Sequence, residues 1–438
     1  MSFLRRYCII GAGPAGLMAA RSFQAAGLDF DVYEKYKDLG GIWQIKNPES
    51  PVYQSAHFIS SKTISKIPGF PMPRTFPDYP SHGDILFYLK EFAKEYGLRD
   101  KISFNSTVET VIREESGNWL VKLEKGGSQS YDGLVICNGH TWDPNWPKYK
   151  GSFKGEKLHS LHYKSPDILK GKRVLVVGGG NSAIDIACDA AIHAKSAAIS
   201  LRRGYHFFPK HVLGLPSDVI NSILPMPAWF QKIVAKIILR VFVGDITRLG
   251  LPTPDHGPLE SHPIVNSQVL HYLSHGDLCV KKDIESYDGK TVFFQDGVQE
   301  DFDLILFATG YNVRFPFLAD EHFSWKERYP ELFLNFLHPK YDNLAVIGLT
   351  QTDGGAYEFF TKQADILANI FRDQQNYPER IKSLLLLKEK GNPNLQGGRR
   401  YISSDRHETY VRMMTMRKYL DRLFRKMDWT KFHKESHF

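Results

Sequence analysis

An α/β fold made of two Rossmann-like dinucleotide-binding domains, one inserted in the other, is what this 438-residue chain predicts. Three observations lead there. A strand-like run ends in a glycine loop at Gly11, and the same order restarts at Gly178, 167 positions later (178 minus 11). The chain is also too long for one average domain. Repetition of the whole order strand, loop, helix, strand argues for two βαβ units and against one loop matched by chance.

The elements follow in sequence. Arg6–Ile10 (RYCII) reads as a buried strand, with Gly11-Ala-Gly-Pro-Ala-Gly16 at its end. A helical pattern runs to about Gly27, and Phe30–Tyr33 is a second strand closed by Glu34. Between Asp84 and Tyr96, the residues Ile85, Leu89, Phe92 and Tyr96 fall at helical spacing. Alternation becomes strand-like near Ile102–Arg113 and Asn118–Leu123, and Asp132–Asn138 resembles another buried strand. Arg173–Val177 (RVLVV) then leads into the second loop, a helix to about Ala194 and the strand Ala197–Leu201. A stretch rich in proline and aromatics, about 205–266, reads as an insertion in the second domain. Asp303–Ala308 (DLILFA) is expected to return the chain to the first domain, where Asn343–Leu349 adds a strand and Tyr357–Arg372 a helix. The first domain therefore comprises residues 1–165 and 310–438, the latter ending in a basic tail, and the second comprises 166–309.

Composition narrows the class of function. With 42% hydrophobic and 24% charged residues, the chain is globular with a large core, which excludes disorder throughout. A net charge of +8 (56 basic minus 48 acidic) favours anionic cofactors or an anionic membrane surface, and no nucleic-acid signature accompanies it. Cys8, Cys137, Cys188 and Cys279 are widely spaced; three lie in apolar strand- or helix-like runs and read as buried reduced thiols of a reducing compartment. No secretory apolar segment precedes the first loop, and no apolar window approaches the roughly 18 residues of a spanning helix. A cytoplasmic location, with peripheral membrane contact or oligomer formation open, is the expectation.

The loops carry the chemistry. In GxGxxG the first glycine makes the tight turn, the second admits the pyrophosphate, and the third lets helix and strand pack closely, leaving the helix N-terminus aimed at negative charge. Gly11, Gly13 and Gly16 fill these places in the first unit, and Glu34 stands where a carboxylate accepts from ribose hydroxyls. Such a corner disfavours a 2′-phosphate and suits FAD. Gly178, Gly180 and Ala183 fit GxGxxA in the second unit, with Asn181 and Ser182 at the helix start. There the next strand ends in Arg202-Arg203, whose guanidiniums suit the 2′-phosphate of NADPH. The histidines are scattered, and His271/His275 lack the glutamate of HExxH, so no metal site is expected.

Just before the second loop, Phe153, Gly155, His159 and Tyr163 spell FxGxxxHxxxY. Gly40-Gly41-Ile42-Trp43, Leu201-Arg202-Arg203-Gly204, Phe307-Ala308-Thr309-Gly310-Tyr311 and Ile347-Gly348-Leu349 with Gln351 accompany it in order. Together these resemble the flavin-containing monooxygenases, class B flavoprotein monooxygenases, over residues 1 to about 375. The resemblance implies that Gly41, Trp43, Ser60 and Gln351 border FAD, and that the fingerprint couples the cofactor domains. It implies hydride transfer from NADPH to FAD, reaction with O2, and a C4a-hydroperoxyflavin that oxygenates a soft nitrogen or sulfur, an N,N-dimethylaniline monooxygenase type of activity on a small molecule. The related Baeyer–Villiger enzymes resemble this arrangement but place Trp with Pro or Asp at the fingerprint's end, where this chain has Tyr163-Lys164.

One departure stands out. Aligned on Tyr53, Ser55 and Lys62, the family's flavin-proximal asparagine becomes Ile59, followed by Ser60 and Ser61. Without that amide an NADPH oxidase releasing hydrogen peroxide is the alternative outcome, unless a serine substitutes. In the insertion, Trp229–Val243 puts Ile233, Ile237 and Val241 on one helical stripe and Lys232, Lys236 and Arg240 on another, a pattern fit for a membrane interface. Docking on the protein, over the substrate opening, is the simpler use of that face. The basic, aromatic tail from Tyr419 on, with Leu420, Leu423 and Phe424, reads as solvated, with a surface helix as the alternative.

Overall fold

The computed structural model describes residues 5–223, 226–402 and 407–433. Two five-stranded parallel sheets organise it. The first runs Leu344–Val346, Gly133–Ile136, Arg6–Ile10, Asp29–Tyr33, Ile102–Ser103. The second repeats that plan: Glu156–His159, Leu304–Phe307, Arg173–Val177, Ser196–Ser200, Cys279–Lys281.

Burial on both faces explains the unbroken apolar runs at the sheet centres. Tyr7 and Ile9 face the core beneath helices Pro14–Ala25 and Tyr357–Asn376, while Cys8 and Ile10 pack with Trp119, Tyr131 and Phe315 on the other side. Val174 and Val176 likewise face helix Asn181–His193, and Leu175 and Val177 meet Phe294 and Phe302. The duplication extends beyond the βαβ units. Antiparallel strands Val108–Arg113, Trp119–Leu123 and Ser128–Tyr131 precede Gly133–Ile136, and Ile284–Gly289, Thr291–Phe294 and Gln299–Asp301 precede Leu304–Phe307 in the same way.

Three expectations change. Leu304–Phe307 does not return the chain to the first unit; it pairs between Glu156–His159 and Arg173–Val177 at the heart of the second sheet. The crossing lies next to it, where Tyr311–Asn312 pairs antiparallel with Asp143–Pro144. Strands Lys150–Phe153 and Glu156–His159 also pair within the second unit, ahead of the expected boundary at 165 and 166. The tail is not solvated: Met413–Met427 is a helix that buries Met416, Leu420, Leu423, Phe424 and Met427. Arg417 grips Glu358 through two nitrogens (2.8 and 2.6 Å), Lys362 reaches Asp421 (2.8 Å), and His433 contacts the buried Asp365. Residues 434–438 of that tail lie outside the described residues. Cys8, Cys137 and Cys188 are buried free thiols and Cys279 is exposed.

Candidate functional site

The first glycine loop closes a cradle at the carboxyl end of its sheet. Gly11 adopts φ +105°, and a Cβ there would meet the Cys137 carbonyl oxygen at 2.6 Å. A Cβ on Gly16 would fall 1.8 Å from the Gly11 carbonyl oxygen, so the helix packs on the loop at a distance only glycine permits. Gly41 (φ +56°) lies over Gly13, its Cβ position 2.8 Å from the Gly13 Cα. Helix Pro14–Ala25 starts after Gly13 with no capping side chain, leaving its first N–H groups to a ligand. Glu34 is buried, accepting from the backbone N–H of Ala12 (2.8 Å) and Tyr36 (2.9 Å); burial pushes its carboxyl upward against those two bonds. Gly348 brings the loop after Leu344–Val346 over Ala15, Trp43 is buried against Phe58, and Gln351 donates to the Tyr329 hydroxyl (3.2 Å). A pyrophosphate fits a cradle closed by backbone alone, with an uncapped helix start.

The second cradle is built alike with a different corner. Gly178 (φ +132°) faces the Ala308 carbonyl oxygen at 2.4 Å from its Cβ position, and helix Asn181–His193 begins uncapped after Gly180. Ser182 is exposed at that helix start, whereas Asn181 is turned to the insertion: its amide donates to Pro263 O (3.1 Å) and accepts from Val265 N (3.0 Å). Arg202 is exposed; Arg203 lies 4.0 Å from Asp255, which is bound to His256 (2.7 Å). An acceptor-rich dianion fits the exposed guanidinium face.

Between the cradles lies the fingerprint. Phe153 folds its ring over Gly155, whose Cβ would meet that ring at 2.5 Å. His159 is fully buried between Trp146 and Tyr311, and its Nδ1 accepts from Leu161 N (3.2 Å). Burial lowers its pKa to about 4, so the ring is neutral at physiological pH. Tyr163 donates to Asp189 (2.8 Å), as does Ser55 (2.6 Å), while Tyr53 donates to Asp185 (3.1 Å). Asp185 and Asp189 are one turn apart on helix Asn181–His193. The 53–55 segment of the first unit and the fingerprint tyrosine thus clamp the helix that starts at the second cradle. Neither aspartate was singled out by sequence, because carboxylates on a helix read as a solvated face.

Ile59 and Ser60 open onto a cavity of about 130 Å³, roofed by the insertion. Phe208, Val212, Val234, Ile238, Leu259 and Val265 supply its apolar wall. Helix Ala228–Ile238 therefore uses its apolar side twice: Val234 and Ile238 face the cavity, whereas Ile233 and Ile237 are exposed. Ser60 Oγ is bound to Ser65 Oγ (2.6 Å), and Ser61 is buried with its N–H donated to Asp218 (2.6 Å). At the polar end Gln231 accepts from Arg399 (2.6 Å) and Arg412 (3.0 Å), and Asp353 pairs with Arg399 (2.6 Å). The two Gln231 contacts join segments 168 and 181 positions apart, which no local motif announces. Among the described residues no metal-holding group of three His, Cys, Asp or Glu occurs.

Two nucleotide cradles with unlike corners, clamped together beside a small apolar cavity, define a pyridine-nucleotide-dependent flavoprotein. The family model described as flavin-binding monooxygenase-like matches residues 4–424. Flavin-containing monooxygenase 5 of Oryctolagus cuniculus is 31% identical over 92% of this chain and 79% of its own length; flavin-containing monooxygenase 2 of Homo sapiens is 30% identical over 88% and 76%. S-allyl-L-cysteine S-oxygenase from Allium sativum shares the fold, with a TM-score of 0.65 at 20% identity over 98% of this chain and 89% of its own. So does cyclohexanone monooxygenase from Rhodococcus sp. Phi1 bound to NADP+, with a TM-score of 0.70 at 16% identity over 99% of both chains. The chain belongs to the flavin-binding monooxygenase family and is an FAD- and NADPH-dependent monooxygenase. The match reaches residue 424, beyond the 375 expected, because the docked C-terminal helix is part of it.

Proposed function

We propose that this monooxygenase oxygenates nitrogen or sulfur in a small organic molecule held in the cavity beside Ile59 and Ser60. The observation that carries the reading is the position of that apolar cavity, between the Ile59–Ser61 segment of the first unit and the insertion of the second. FAD is held by Gly11, Gly13, Gly16, Glu34 and Gly41, with Trp43, Ser60 and Gln351 along its length. NADPH is held by Gly178, Gly180, Ser182, Arg202 and Arg203, with Asn181 anchoring the insertion against its site. In domain terms, the flavin part is 1–144 with 311–438 and the nicotinamide part is 145–310, divided at the paired crossing.

The bound flavin supplies the redox chemistry: two electrons from NADPH and one O2 yield one oxygenated product atom and one water. The protein's share is to bind, orient and exclude water. Backbone N–H groups at two uncapped helix starts would hold the pyrophosphates, the Asp185 and Asp189 clamps fix one cradle against the other, and the apolar wall would keep water from the reacting atoms. Buried His159, held neutral near pH 7 by burial, acts as packing between the units. The test is product analysis under 18O2 with a thioether, N,N-dimethylaniline and a cyclic ketone. Labelled S-oxide or N-oxide formed at the expense of NADPH supports the reading; labelled lactone alone, or peroxide alone with all three, refutes it.

The exposed side of the insertion suits a lipid interface. Trp229, Ile233, Ile237, Val241 and Phe242 are exposed together with Leu213 (87% exposed), and Lys236 and Arg240 are exposed beside them. Apolar groups with adjacent cations match a headgroup boundary of anionic lipid. Among the described residues no helix is long and apolar enough to cross a membrane. Sedimentation with phosphatidylserine vesicles at low salt should carry the protein down, and Ile237→Glu should leave it in the supernatant; equal sedimentation of both rejects the contact.

A further inference from the structure

The cavity has an uneven charge inventory. Among the described residues, Asp218 and Asp353 are the only Asp, Glu, Lys or Arg side chains that line it. Asp353 is neutralised by Arg399 at 2.6 Å and accepts Met413 N at 2.8 Å. Asp218, in the first turn of helix Ser217–Ile223, accepts Ser61 N through Oδ2 (2.6 Å); the Ser61 hydroxyl and the Val219 N–H are its other polar neighbours, and its buried Oδ1 forms no hydrogen bond of good geometry. No lysine or arginine among the described residues lies within ion-pair distance of it. A carboxylate left this way in an apolar wall is costly unless a cation is brought to it.

We propose that the cavity selects a substrate bearing a positive charge, that Asp218 holds this charge, and that the oxygenated atom is a different one in the same molecule. The separation follows from elementary chemistry: a protonated amine has no lone pair to give to oxygen. The class is therefore a small thioether, or a second and unprotonated amine, with an ammonium group a few bonds away. At about 130 Å³ the cavity admits only small molecules, well under the ~300–1,000 Å³ of drug-sized pockets. The Asp218 end lies beside Ile59 and Ser60, and Tyr79 and Phe208 offer aromatic faces in the same wall. Burial raises the Asp218 carboxyl above its ordinary range, as expected of a group whose counter-ion arrives with the ligand.

This inference deepens the proposed oxygenation and is tested apart from it, by equilibrium binding to oxidised FAD-loaded protein without NADPH. Three probes of similar length are compared by calorimetry: 2-(methylsulfanyl)ethylammonium, 2-(methylsulfanyl)ethanol and 3-(methylsulfanyl)propanoate. The cation should bind about tenfold or more tightly than the alcohol, and the carboxylate most weakly. Asp218→Asn keeps an oxygen for Ser61 N–H, and its flavin content and circular dichroism verify folding. It should abolish the cation's advantage while leaving alcohol binding within about twofold. Equal binding of the three probes, a preference for the carboxylate, or a cation advantage that survives Asp218→Asn overturns the proposal. NADPH-dependent S-oxide formation is scored separately, so a cation-selective protein that oxygenates nothing contradicts only the function.

Discussion

At the scale of single residues, two positions carry measurable consequences. Gly41 combines a left-handed backbone with a Cβ position 2.8 Å from the Gly13 backbone. Alanine there has to push the two loops apart, on top of roughly 1–2 kcal/mol of backbone strain. Gly41→Ala should therefore weaken FAD binding about tenfold or more, read as flavin lost during gel filtration, with NADP+ binding unchanged. His159 speaks through pH. Its pKa falls from 6.5 to about 4 on folding, so the unfolded chain binds the extra proton between those values. Stability is present above pH 6.5 and is lost as pH falls toward 4, by up to about 3 kcal/mol from this group. His159→Phe, which loses the acceptor for Leu161 N–H, should be less stable at pH 7 yet show a shallower decline in urea midpoint from pH 7 to 5. A slope identical to that of the parent would remove His159 from the account of acid sensitivity.

At the scale of elements, what was legible depended on whether a signal is local. The βαβ units were readable because glycine loops, apolar runs and corner residues lie within about thirty positions. The helix expected from Asp84 begins at His82 because Ser81 and Asp84 cap it reciprocally, a pairing that apolar spacing alone does not show. The neighbours of Leu304–Phe307 are not legible in sequence because a fully apolar strand carries no mark of its partner; only the pairing with His159 and Val177 decides them. The tail looked solvated by its charge, yet Arg417, Lys362 and Asp421 spend those charges on one another and on Glu358 along a buried face. The interdomain clamp was the least visible feature and is the most testable. Ser55 donates to Asp189 and Tyr53 to Asp185 across the two units, with Tyr163 bracing Asp189 from within the second, each bond being worth about 1.5–3 kcal/mol when the acceptor is charged. Asp189→Asn should slow flavin reduction by bound NADPH about tenfold while its KM changes little, because the cofactor still docks and the cradles no longer hold their register. A rise in KM alone would place Asp189 in binding rather than positioning.

For the whole molecule, the division of labour is between a duplicated scaffold and the chain that departs from it. The two halves share strand order, loop and antiparallel addition, and they differ at the corners: Glu34 in one, Arg202 and Arg203 in the other, the residues proposed to sort FAD from NADPH. The halves meet at Ile59–Ser61, and the insertion reaches across to that segment through Asp218. Ile59 offers the cavity an apolar side chain where the family resemblance places an amide. The cavity must then exclude water by its apolar wall and by a closed insertion rather than by an added hydrogen bond. Some NADPH oxidation should accordingly end as hydrogen peroxide when no nucleophile is present. Restoring the amide with Ile59→Asn should lower peroxide per NADPH by about threefold or more, a gain of roughly 0.7 kcal/mol in partition that one hydrogen bond supplies. The ratio is measured by coupled peroxide assay against NADPH absorbance, with and without a thioether. An unchanged or higher ratio would show that coupling in this molecule is set by closure of the insertion over the cavity, and Ser61→Ala, which keeps the N–H held by Asp218, should then also leave it unchanged.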